Sequence, residues 1–476
     1  MSRRTKIIAT VGPACESEGM LKDLAEAGAD VFRINLSHGP LDLALERYHR
    51  VRTVEASLGR PIGALVDLPG PKVRAGAMAE GGVLLEDGGT VRLVPGHEPS
   101  TAEVVSVDHP GLVADLHVGD LVTFGDGAVV AEVFDRTGDA LLATISHGGL
   151  LQGRPGVHIP SERLRLTTPT DHDLRLLDTF VEEGVDMVAL SFVRSAHDVR
   201  RVGTEPHPRG PLIVAKIETR AAVENLDGII EASGAVMVAR GDLGAECPLE
   251  EVPHLQKRIL ERCITLGRPA ITATQMLESM VHAPTPTRAE TSDIANAVFD
   301  GSSAVMLSGE TAIGRDPVNS VATMARVAAR ADEEFDFDAW ALRVQRLSGQ
   351  LRPSVDDIVT NGMTDAAWRA ASQTGAAAII CITRTGFTVR AIARFRPRAK
   401  ILGFSTEPRT LRQLTLSWGA TPYDLTGGLS ADAQVNRAVE LAQHHGEVRT
   451  GDLVAVLSGS VDHPGQATDS LRLVRV

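Results

Sequence analysis

The sequence has few cysteines, few aromatic residues and no long apolar run. Its four cysteines, Cys15, Cys247, Cys263 and Cys381, form no CxxC pair and have no His spacing typical of zinc. They predict reduced core thiols rather than a disulfide framework. No apolar run approaches the roughly 20 residues that span a bilayer, and the start MSRRTK does not continue as a signal peptide. From these absences we expect a cytoplasmic protein with no membrane partner.

Positive charge is also scarce, and lysine most of all. The formal net charge is −13, whereas a general nucleic-acid binder is usually basic, so we expect no nucleic-acid partner. A phosphorylated small molecule needs only a local basic pocket. Only six of the 48 basic residues are lysines, namely Lys6, Lys22, Lys72, Lys216, Lys257 and Lys400. A lysine kept where arginine is otherwise preferred hints at chemistry, because its compact charge and tunable pKa differ from those of arginine.

The 476 residues predict more than one domain, because a single core rarely grows past about 300 residues. Short runs rich in Val, Ile and Ala alternate with amphipathic helical stretches, a βαβ pattern. Eight such runs indicate an α/β protein with a (β/α)8 TIM barrel, and an open doubly wound sheet is the alternative. The runs cover residues 6–12, 30–37, 63–70, 186–193, 212–218, 235–242, 269–275 and 303–310.

Two further patterns interrupt or follow the barrel. Between the third and fourth runs, more than a hundred residues alternate Val and Leu with polar residues and Gly turns, as in 118–133, and predict a small all-β lid. After a polar helical connector near 330–355, the runs 376–383, 400–406 and 452–459 predict a separate α/β domain. We expect a barrel at 1–70 and 170–340, an inserted β-barrel lid domain at 71–169, and a C-terminal α/β domain at 341–476.

Polar side chains follow strand after strand at the end where a barrel places its active site. Strand-end polarity is the ordinary reason for any one of them, but burying so many unpaired would be costly. The set is Thr10, Arg33, Asn35, Ser37, His38, Asp67, Ser191, Lys216, Glu218, Arg240, Asp242, Thr274, Gln275, Ser308 and Glu310.

The chemistry of this set suits a small anionic substrate. Glu218 and Asp242 end adjacent strands and offer hard oxygen ligands for Mg²⁺ or Mn²⁺, although an ion pair with Arg240 or Lys216 is the alternative. Lys216 lies on the same side of a strand as Glu218 and suits a phosphoryl group or an enolate. The run RGDLGAE (240–246) predicts a turn or helix start whose amides bind a carboxylate or phosphate.

Several of these runs closely resemble the pyruvate kinase family. They are RINLSHG (33–39), KIE (216–218), MVARGDLG (237–244), ITATQMLESM (271–280), PTRAE (286–290) and VMLSGETA (305–312). The resemblance covers nearly the whole chain, and its motifs are too long for a chance match. It implies phosphoryl transfer from phosphoenolpyruvate to ADP, which gives pyruvate and ATP, on a barrel with a β lid and a C-terminal α/β domain. It also implies a Mg²⁺ or Mn²⁺ cofactor and a homotetramer.

The resemblance further implies a role for each matching residue. Glu218 and Asp242 would hold Mg²⁺, Arg33 the phosphate, and Lys216 the phosphoryl group in flight. The Gly241 and Asp242 amides with Thr274 would bind the substrate carboxylate, and Thr274 with Ser308 would serve protonation of the enol. The nucleotide-binding positions would be Thr10, Pro13, Asn35, His38, Arg74 and Arg154.

The cation site departs from the family pattern. The positions of a K⁺ site are present as Asn35, Ser37, Asp67 and the Leu68 carbonyl, but the family's DTKGPE run reads DLPGPK (67–72). Family members with a lysine at the position of Lys72 are typically independent of K⁺, which implies that K⁺ is not required here. The alternative is that Lys72 is a surface charge at a domain hinge.

The lid and the C-terminal domain also depart from the pattern. The family's lid lysine is replaced by Pro155, with Arg154 beside it, and only Asp126 remains of a lid DDG motif. The run TRTGFT, with Thr383, Arg384, Thr385, Gly386 and Thr388, resembles the loop that binds a sugar-phosphate or AMP effector, or is a plain polar turn. The family's later Gly-Thr-Thr-Asn signature reads GQATD (465–469).

Two other functions compete with an active pyruvate kinase. The altered lid and C-terminal loop are compatible with a divergent paralogue that binds an effector or a partner, although Lys216, Glu218, Asp242 and Thr274 argue against it. Another phosphoenolpyruvate-using barrel enzyme, such as a mutase or a histidine-relay phosphotransferase, is disfavoured by the inserted β domain and the lack of a phosphohistidine domain.

Overall fold

The computed structural model describes residues 3–125, 127–160, 163, 167–348, 355–426, 430–459 and 468–476. Eight parallel strands close into a barrel, which confirms the predicted fold and excludes the open sheet. The barrel interior is filled by side chains such as Ile8, Leu65 and Met237, as in a packed barrel core. The strands, in chain order, are Lys6–Thr10, Val31–Asn35, Gly63–Asp67, Met187–Leu190, Leu212–Ile217, Ala235–Ala239, Ala270–Ala273 and Ala304–Leu307.

Helices cover the outside of the barrel and bury their apolar faces against the outward side chains of the strands, as the amphipathic pattern requires. Side-chain caps fix several helix starts, for example Ser17, Thr170 and Thr287. The α-helices of this part are Glu18–Ala27, Leu41–Leu58, Asp171–Glu182, Ala196–Arg200, Arg220–Glu224, Leu226–Ala232, Arg240–Glu246, Val252–Thr265, Arg288–Asp300, Gly309–Ala312 and Pro317–Glu333, with 3₁₀ turns at Leu249–Glu251 and Glu278–Val281.

The segment between the third and fourth barrel strands forms a separate β structure with its own apolar core. A six-stranded sheet and a two-stranded sheet make up this part, which we call the lid. One short helix, Leu112–Asp115, is added to the predicted all-β pattern. The strands are Val83–Leu85, Thr90–Pro95, Val104–Val107, Leu121–Phe124, Val129–Thr137, Ala140–His147, Gly149–Leu151 and Val157–His158.

The C-terminal part is a five-stranded α/β sheet. Three of its strands match predicted runs, and Ala420–Asp424 and Thr468–Arg475 were not predicted. The strands are Ala378–Ile382, Lys400–Ser405, Ala420–Asp424, Leu453–Gly459 and Thr468–Arg475; the helices from the connector onward are Phe337–Ser348, Val355–Thr374, Phe387–Ala393, Pro408–Leu414 and Ala431–His444. No helix within the described ranges combines the length and the apolar character needed to cross a membrane.

Candidate active site at the barrel mouth

The fifth barrel strand carries the central cation of the site. Lys216 lies one residue before the strand end and is only 9% exposed. Its Nζ lies 2.7 Å from Glu218 Oε1 and 3.5 Å from Asp67 Oδ1, and it donates to Ser191 Oγ at 2.8 Å. The third, fourth and fifth strands therefore converge on one buried ammonium group.

The carboxylates around Lys216 hold it in the charged form. Burial alone would lower the pKa of Lys216, but Asp67, Glu218 and Asp242 outweigh burial and raise it. Burial raises the pKa of Glu218 to about 7, against the opposing effect of Lys216. Burial would also raise the pKa of Asp67, but Lys216 and Arg33 outweigh it and lower the pKa. The site thus keeps a fixed positive charge at its centre.

Arg33 adds a second buried cation beside Lys216. It lies on the second barrel strand, and its Nε donates to Asp67 Oδ2 at 2.7 Å. Its Nη1 donates to Thr10 Oγ1 at 3.1 Å, and Thr10 in turn donates to the Leu307 carbonyl. Asp67 therefore orients both cations, and a guanidinium suits the recognition of a phosphate.

Glu218 and Asp242 offer two carboxylates next to this centre. Glu218 Oε2 accepts a 2.6 Å hydrogen bond from the Phe192 amide, and Glu218 Oε1 forms the ion pair with Lys216. Asp242 is part of the helix Arg240–Glu246, which confirms the predicted helix start. Among the described residues, no group of three or more His, Cys, Asp or Glu side chains is arranged so that it could hold a metal ion by itself. Two carboxylates nevertheless fit Mg²⁺, which often takes one or two carboxylates and fills its shell with water and substrate phosphates.

The seventh strand supplies a hydroxyl held by the backbone. Thr274 Oγ1 accepts a 3.0 Å hydrogen bond from the Gly241 amide, so the two residues predicted to bind one carboxylate are adjacent. Thr274 and Gln275 both have positive φ, 67° and 55°. Such backbone strain in residues other than glycine is concentrated at functional sites.

Arg240 is not the partner of Glu218 in this arrangement. Its Nη1 binds both oxygens of Asp293 at 2.7 and 2.8 Å, and its Nη2 donates to the Thr274 carbonyl at 2.6 Å.

Glu310 is fully buried and accepts from the Ser308 and Leu277 amides. Arg240 and Glu310 thus brace the strand ends that carry Thr274 and Ser308.

A cleft lies between the lid and the barrel mouth, and Lys72, Phe192, Gly241 and Asp242 are among its lining residues. A 3.0 Å contact between His158 Nε2 of the lid and Glu246 Oε1 of the barrel spans the two parts. Lys72 is exposed. The cleft therefore gives access to the buried centre from the lid side.

The predicted nucleotide positions belong partly to the barrel and partly to the lid, and none of them is among the described residues that line the cleft. Arg74 donates to the Ser37 and Arg154 carbonyls and so connects the lid with the second barrel strand's loop. Burial and the nearby Lys72 and Arg74 lower the pKa of His38. Thr10 is buried, Asn35 is half-buried, and Pro13 and Arg154 are exposed.

The positions of the predicted K⁺ site are already engaged within the protein. Asp67 binds Arg33 and Lys216, and the Leu68 carbonyl accepts from Ser191 Oγ at 2.7 Å. Asn35 Oδ1 accepts from the Ser37 amide at 3.1 Å. The buried ammonium group of Lys216 and the guanidinium group of Arg33 thus already compensate the charge of Asp67, the one carboxylate of this set.

The predicted effector loop is a hydrogen-bonded turn. The Gly386 amide donates to Thr383 Oγ1 at 3.0 Å, and Thr388 Oγ1 lies 2.6 Å from Thr468 Oγ1. The Arg384 carbonyl accepts from Thr410. Asp126 and residues 465–467 of the GQATD run lie outside the described residues.

Two residues of the site were missed by the sequence reasoning. Phe192 has φ 55° and uses its amide to hold Glu218, and Asp293 binds Arg240 from the helix Arg288–Asp300. The only signal for Phe192 was its place just after a strand. Asp293 carries no signal, because its partner is 53 residues away in sequence.

Comparison with known proteins agrees with this geometry. Residues 2–321 match the family model "Pyruvate kinase, barrel domain", and residues 361–474 match "Pyruvate kinase, alpha/beta domain". The pyruvate kinase of Geobacillus stearothermophilus is 37% identical over 100% of this chain and 80% of the relative. That of Clostridium acetobutylicum is 36% identical over 99% of both chains, and pyruvate kinase 2 of Synechocystis is 37% identical over 99% of this chain and 79% of the relative. The chain belongs to the pyruvate kinase family.

Proposed function

We propose that the barrel mouth transfers the phosphoryl group of phosphoenolpyruvate to ADP, giving pyruvate and ATP. The observation that carries this proposal is the buried Lys216, held between Asp67 and Glu218 and kept charged by them. A preorganised cation in a water-poor site stabilises charge that develops in a transition state. Phosphoryl transfer depends on such positioning and electrostatics more than on covalent chemistry.

In this proposal, Arg33 and Lys216 interact with the phosphoryl group at different stages of the reaction. Asp67 fixes the Arg33 guanidinium at 2.7 Å, so that its remaining N–H groups bind the phosphate in the ground state. Lys216 neutralises the negative charge of the phosphoryl group during its transfer and the charge of the enolate that remains after the transfer. The substrate carboxylate binds at the Gly241 and Asp242 amides beside Thr274.

Glu218 and Asp242 are the residues that would hold Mg²⁺ or Mn²⁺, the former ion being in general use in this family. A bound divalent ion would supply Lewis-acid neutralisation of substrate oxygens. The Phe192 amide and Lys216 orient Glu218 for this task, because a ligating carboxylate is itself usually held by outer hydrogen bonds.

Thr274 is placed to serve protonation of the enol. Its Oγ1 accepts from the Gly241 amide at 3.0 Å, so its own proton is available to a group in the mouth. Ser308 follows the eighth strand and is half-buried at the same end of the barrel. We assign Thr274, together with Ser308, to the delivery of the proton to the enolate carbon.

The nucleotide binds at the cleft between barrel and lid in this proposal. Thr10, Pro13, Asn35 and His38 would border it on the barrel side, and Arg74 and Arg154 on the lid side. Arg74 supports this placement because it donates both to the Ser37 carbonyl of the barrel and to the Arg154 carbonyl of the lid. Arg154 would replace the phosphate contact that Pro155 cannot make.

Lys72 would serve in place of K⁺ at Asn35, Ser37, Asp67 and Leu68. The support is its exposed position in the lining of the cleft, where it is close enough to lower the pKa of His38. A fixed ammonium supplies positive charge near the phosphates without a bound ion. Replacing Na⁺ by K⁺ in the assay should then leave the rate unchanged.

The remaining assignments follow from membership of the family. We propose a homotetramer that works in the cytoplasm and binds a sugar phosphate or AMP at the loop 383–388. We also keep the division into a barrel at 1–70 and 170–340, a lid at 71–169 and a C-terminal domain at 341–476. Sedimentation of the purified chain tests the tetramer.

The function is tested by pyruvate formation from phosphoenolpyruvate and ADP with Mg²⁺, comparing the wild type with Lys216→Met and Lys22→Met. Lys22 is an exposed helix lysine and provides the matched control. We expect Lys216→Met to lower kcat about 100- to 1,000-fold and Lys22→Met to leave it unchanged. An inactive wild type, even with sugar phosphate or AMP added, would favour the divergent paralogue.

A further inference from the structure

The lid is joined to the barrel by two chain segments, and one buried side chain binds both of them. The outgoing segment follows the third barrel strand, which ends at Asp67, and the returning segment precedes the helix Asp171–Glu182. Asp173, in the first turn of that helix, is 1% exposed. Its Oδ1 accepts a 3.0 Å hydrogen bond from the Gly70 amide, and its Oδ2 accepts from the Thr170 amide at 2.8 Å and from Thr170 Oγ1 at 2.7 Å. We call Gly70, Thr170 and Asp173 the hinge cluster.

Helix capping accounts for the bonds to Thr170 but not for the bond to Gly70. Thr170 is the N-cap of the helix, and Asp173 is the third residue of its first turn, N3, in a capping box. In such a box the N-cap side chain accepts from the N3 amide, and the N3 side chain accepts from the N-cap amide. One carboxylate oxygen of Asp173 completes this exchange. The other oxygen binds Gly70, which is 103 residues away in sequence.

The next helix of the barrel has the same kind of cap with local bonds. Asp198 occupies N3 of a capping box at the start of the helix Ala196–Arg200 and is 7% exposed. Its Oδ2 accepts hydrogen bonds from the Arg194 and Ser195 amides, four and three residues earlier. A buried aspartate at N3 therefore caps its helix through neighbouring amides, and Asp198 is a matched comparison for Asp173.

The outgoing segment lies directly against the proposed active site. Gly70 packs against the side chains of Ser191 and Phe192. Ser191 accepts a hydrogen bond from Lys216, and the Phe192 amide donates to Glu218. Because protein interiors are close-packed, a shift of Gly70 displaces these two neighbours. The place of the outgoing segment therefore bears on the groups that hold the central ammonium and its carboxylate.

The same segment also carries part of the lid side of the cleft. Lys72 lines the cleft, and its amide donates to the Gly70 carbonyl at 2.8 Å. On the returning side, the Thr168 carbonyl accepts from Arg201 Nη1 at 3.2 Å. The returning segment is thus attached to the helices of the barrel, and Asp173 joins the outgoing segment to it.

We propose that Asp173 is a positioning residue that fixes the lid relative to the barrel mouth, by holding the two connecting segments together in the hinge cluster. A few residues at the ends of elements usually absorb the motion of a lid. A carboxylate that binds both segments keeps them from moving independently. Its importance for the reaction rests on the proposed function, in which ADP binds between the lid and the barrel.

The position of the lid is measured directly, without reference to activity. The four native thiols are buried, so spin labels can be attached to the full-length protein through Glu132→Cys on the lid and Asp23→Cys on a barrel helix, both at exposed positions. Pulsed electron paramagnetic resonance then gives the distribution of distances between the lid and the barrel. Asp173→Asn should broaden this distribution, because one amide oxygen cannot replace both carboxylate oxygens. Asp198→Asn should leave the distribution unchanged.

The kinetic test compares the same two variants in pyruvate formation from phosphoenolpyruvate and ADP with Mg²⁺. Since changes at hinge residues often alter KM and kcat together, we expect Asp173→Asn to raise KM for ADP about tenfold and to lower kcat. Asp198→Asn should change neither. Both substitutions remove a charged acceptor from a helix cap, so both should lower the unfolding temperature. A rise in KM confined to Asp173→Asn separates the positioning role from capping.

A second variant carries the test if Asp173→Asn fails to fold. Thr170→Val removes the hydroxyl of the hinge cluster and should also broaden the distance distribution, with Thr287→Val, at the N-cap of the helix Arg288–Asp300, as its control. An unchanged distribution in folded Asp173→Asn, or equal broadening in Asp198→Asn, overturns the proposal. Broadening with an unchanged KM for ADP refutes the effect on the reaction. If the wild type forms no pyruvate, the proposed function fails, and the distance measurement still decides the role of Asp173.

Discussion

At the scale of single residues, each end of the barrel contains one carboxylate that binds two basic side chains. Asp67 holds Arg33 and Lys216 at the mouth, and Asp30 holds Arg3 and Lys6 at the opposite end. Asp67 is 1% exposed, whereas the Asp30 side chain is 16% exposed. The two carboxylates therefore allow a comparison between the ion cluster that we propose to be catalytic and one that is distant from the mouth.

Asp67→Asn should cost both activity and stability, whereas Asp30→Asn should cost stability alone. Removing the charge of Asp67 leaves two buried cations uncompensated, which costs about 3–5 kcal/mol, and misplaces them, which lowers kcat about 100-fold. At Asp30 we expect a loss of about 1–3 kcal/mol with kcat unchanged. Urea unfolding and steady-state kinetics measure the two effects. An equal loss of kcat in both variants would mean that Asp67 acts through stability only.

Lys72→Glu should create a dependence on K⁺ that the wild type lacks. The change removes the fixed ammonium from the cleft and adds a carboxylate, which makes phosphate binding less favourable. We expect activity in Na⁺ to fall about tenfold, a barrier change of about 1.4 kcal/mol, and to recover in K⁺. Lys22→Glu, the same change on an exposed helix, is the control. A wild type that is strongly activated by K⁺ would refute the role given to Lys72.

The sequence predicted which side chains meet at the mouth, and the ion pair of Glu218 with Lys216, stated there as an alternative, is present in the structure; the other pairings were not predicted. Lys216, Glu218 and Asp67 follow buried apolar runs, and the carboxyl ends of parallel strands meet on one face. The alternative partner proposed for Glu218, Arg240, binds Asp293 instead, and the left-handed Phe192 supplies the amide for Glu218. Such pairings depend on long-range packing, which no local pattern encodes.

At the scale of elements, the sequence predicted the buried strands but not the two edge strands of the C-terminal sheet. All eight barrel strands lie inside the predicted runs, which extended up to three residues too far at the carboxyl ends. At these carboxyl ends, the predicted runs include the first residues of the loops that follow the strands, and polar residues of these loops form the site. Ala420–Asp424 and Thr468–Arg475 are the two edges of the C-terminal sheet, and their polar composition lacks the signal of a strand buried on both faces.

The helix Arg288–Asp300 should depend on its first turn. Thr287 and Glu290 form a capping box, and Glu290 also accepts from the Ser279 amide and hydroxyl. Thr287→Ala should lower stability by about 1 kcal/mol and weaken the placement of Asp293 against Arg240. Thr291→Ala removes only a hydroxyl bonded to the carbonyl four residues earlier and should cost less. Thermal unfolding compares the two, and an equal loss would contradict the role of the cap.

At the scale of the whole molecule, the barrel is joined to its two neighbours at opposite ends. The lid meets the barrel mouth across the cleft, and near the strand starts the barrel and the C-terminal domain enclose a small cavity whose lining includes Pro269 and Trp418. The lid contacts the mouth side of the barrel directly, through His158 and Glu246 at 3.0 Å and through Arg74, which donates to the Ser37 carbonyl.

Gly70 follows the third barrel strand at the start of the lid and lies next to Phe192 and Ser191 of the active site. Its φ is 68°, and an added Cβ would lie 2.9 Å from the side chains of Phe192 and Ser191. Gly81, in the lid, also has positive φ, at 90°, but an added Cβ there would meet nothing within 4 Å. The two glycines therefore separate backbone strain from steric contact.

Both Gly70→Ala and Gly81→Ala should lose about 1–2 kcal/mol of stability, the cost of a left-handed alanine. Only Gly70→Ala should also displace Phe192, whose amide holds Glu218, and Ser191, which accepts from Lys216. We expect kcat to fall about tenfold in Gly70→Ala, since a misplacement near 1 Å can cost up to about 100-fold, and to stay unchanged in Gly81→Ala. Unfolding and kinetic measurements on the same preparations decide the matter. If Gly70→Ala kept full activity, the mouth would tolerate movement of Phe192, and the placement of Glu218 would rest on Lys216 alone.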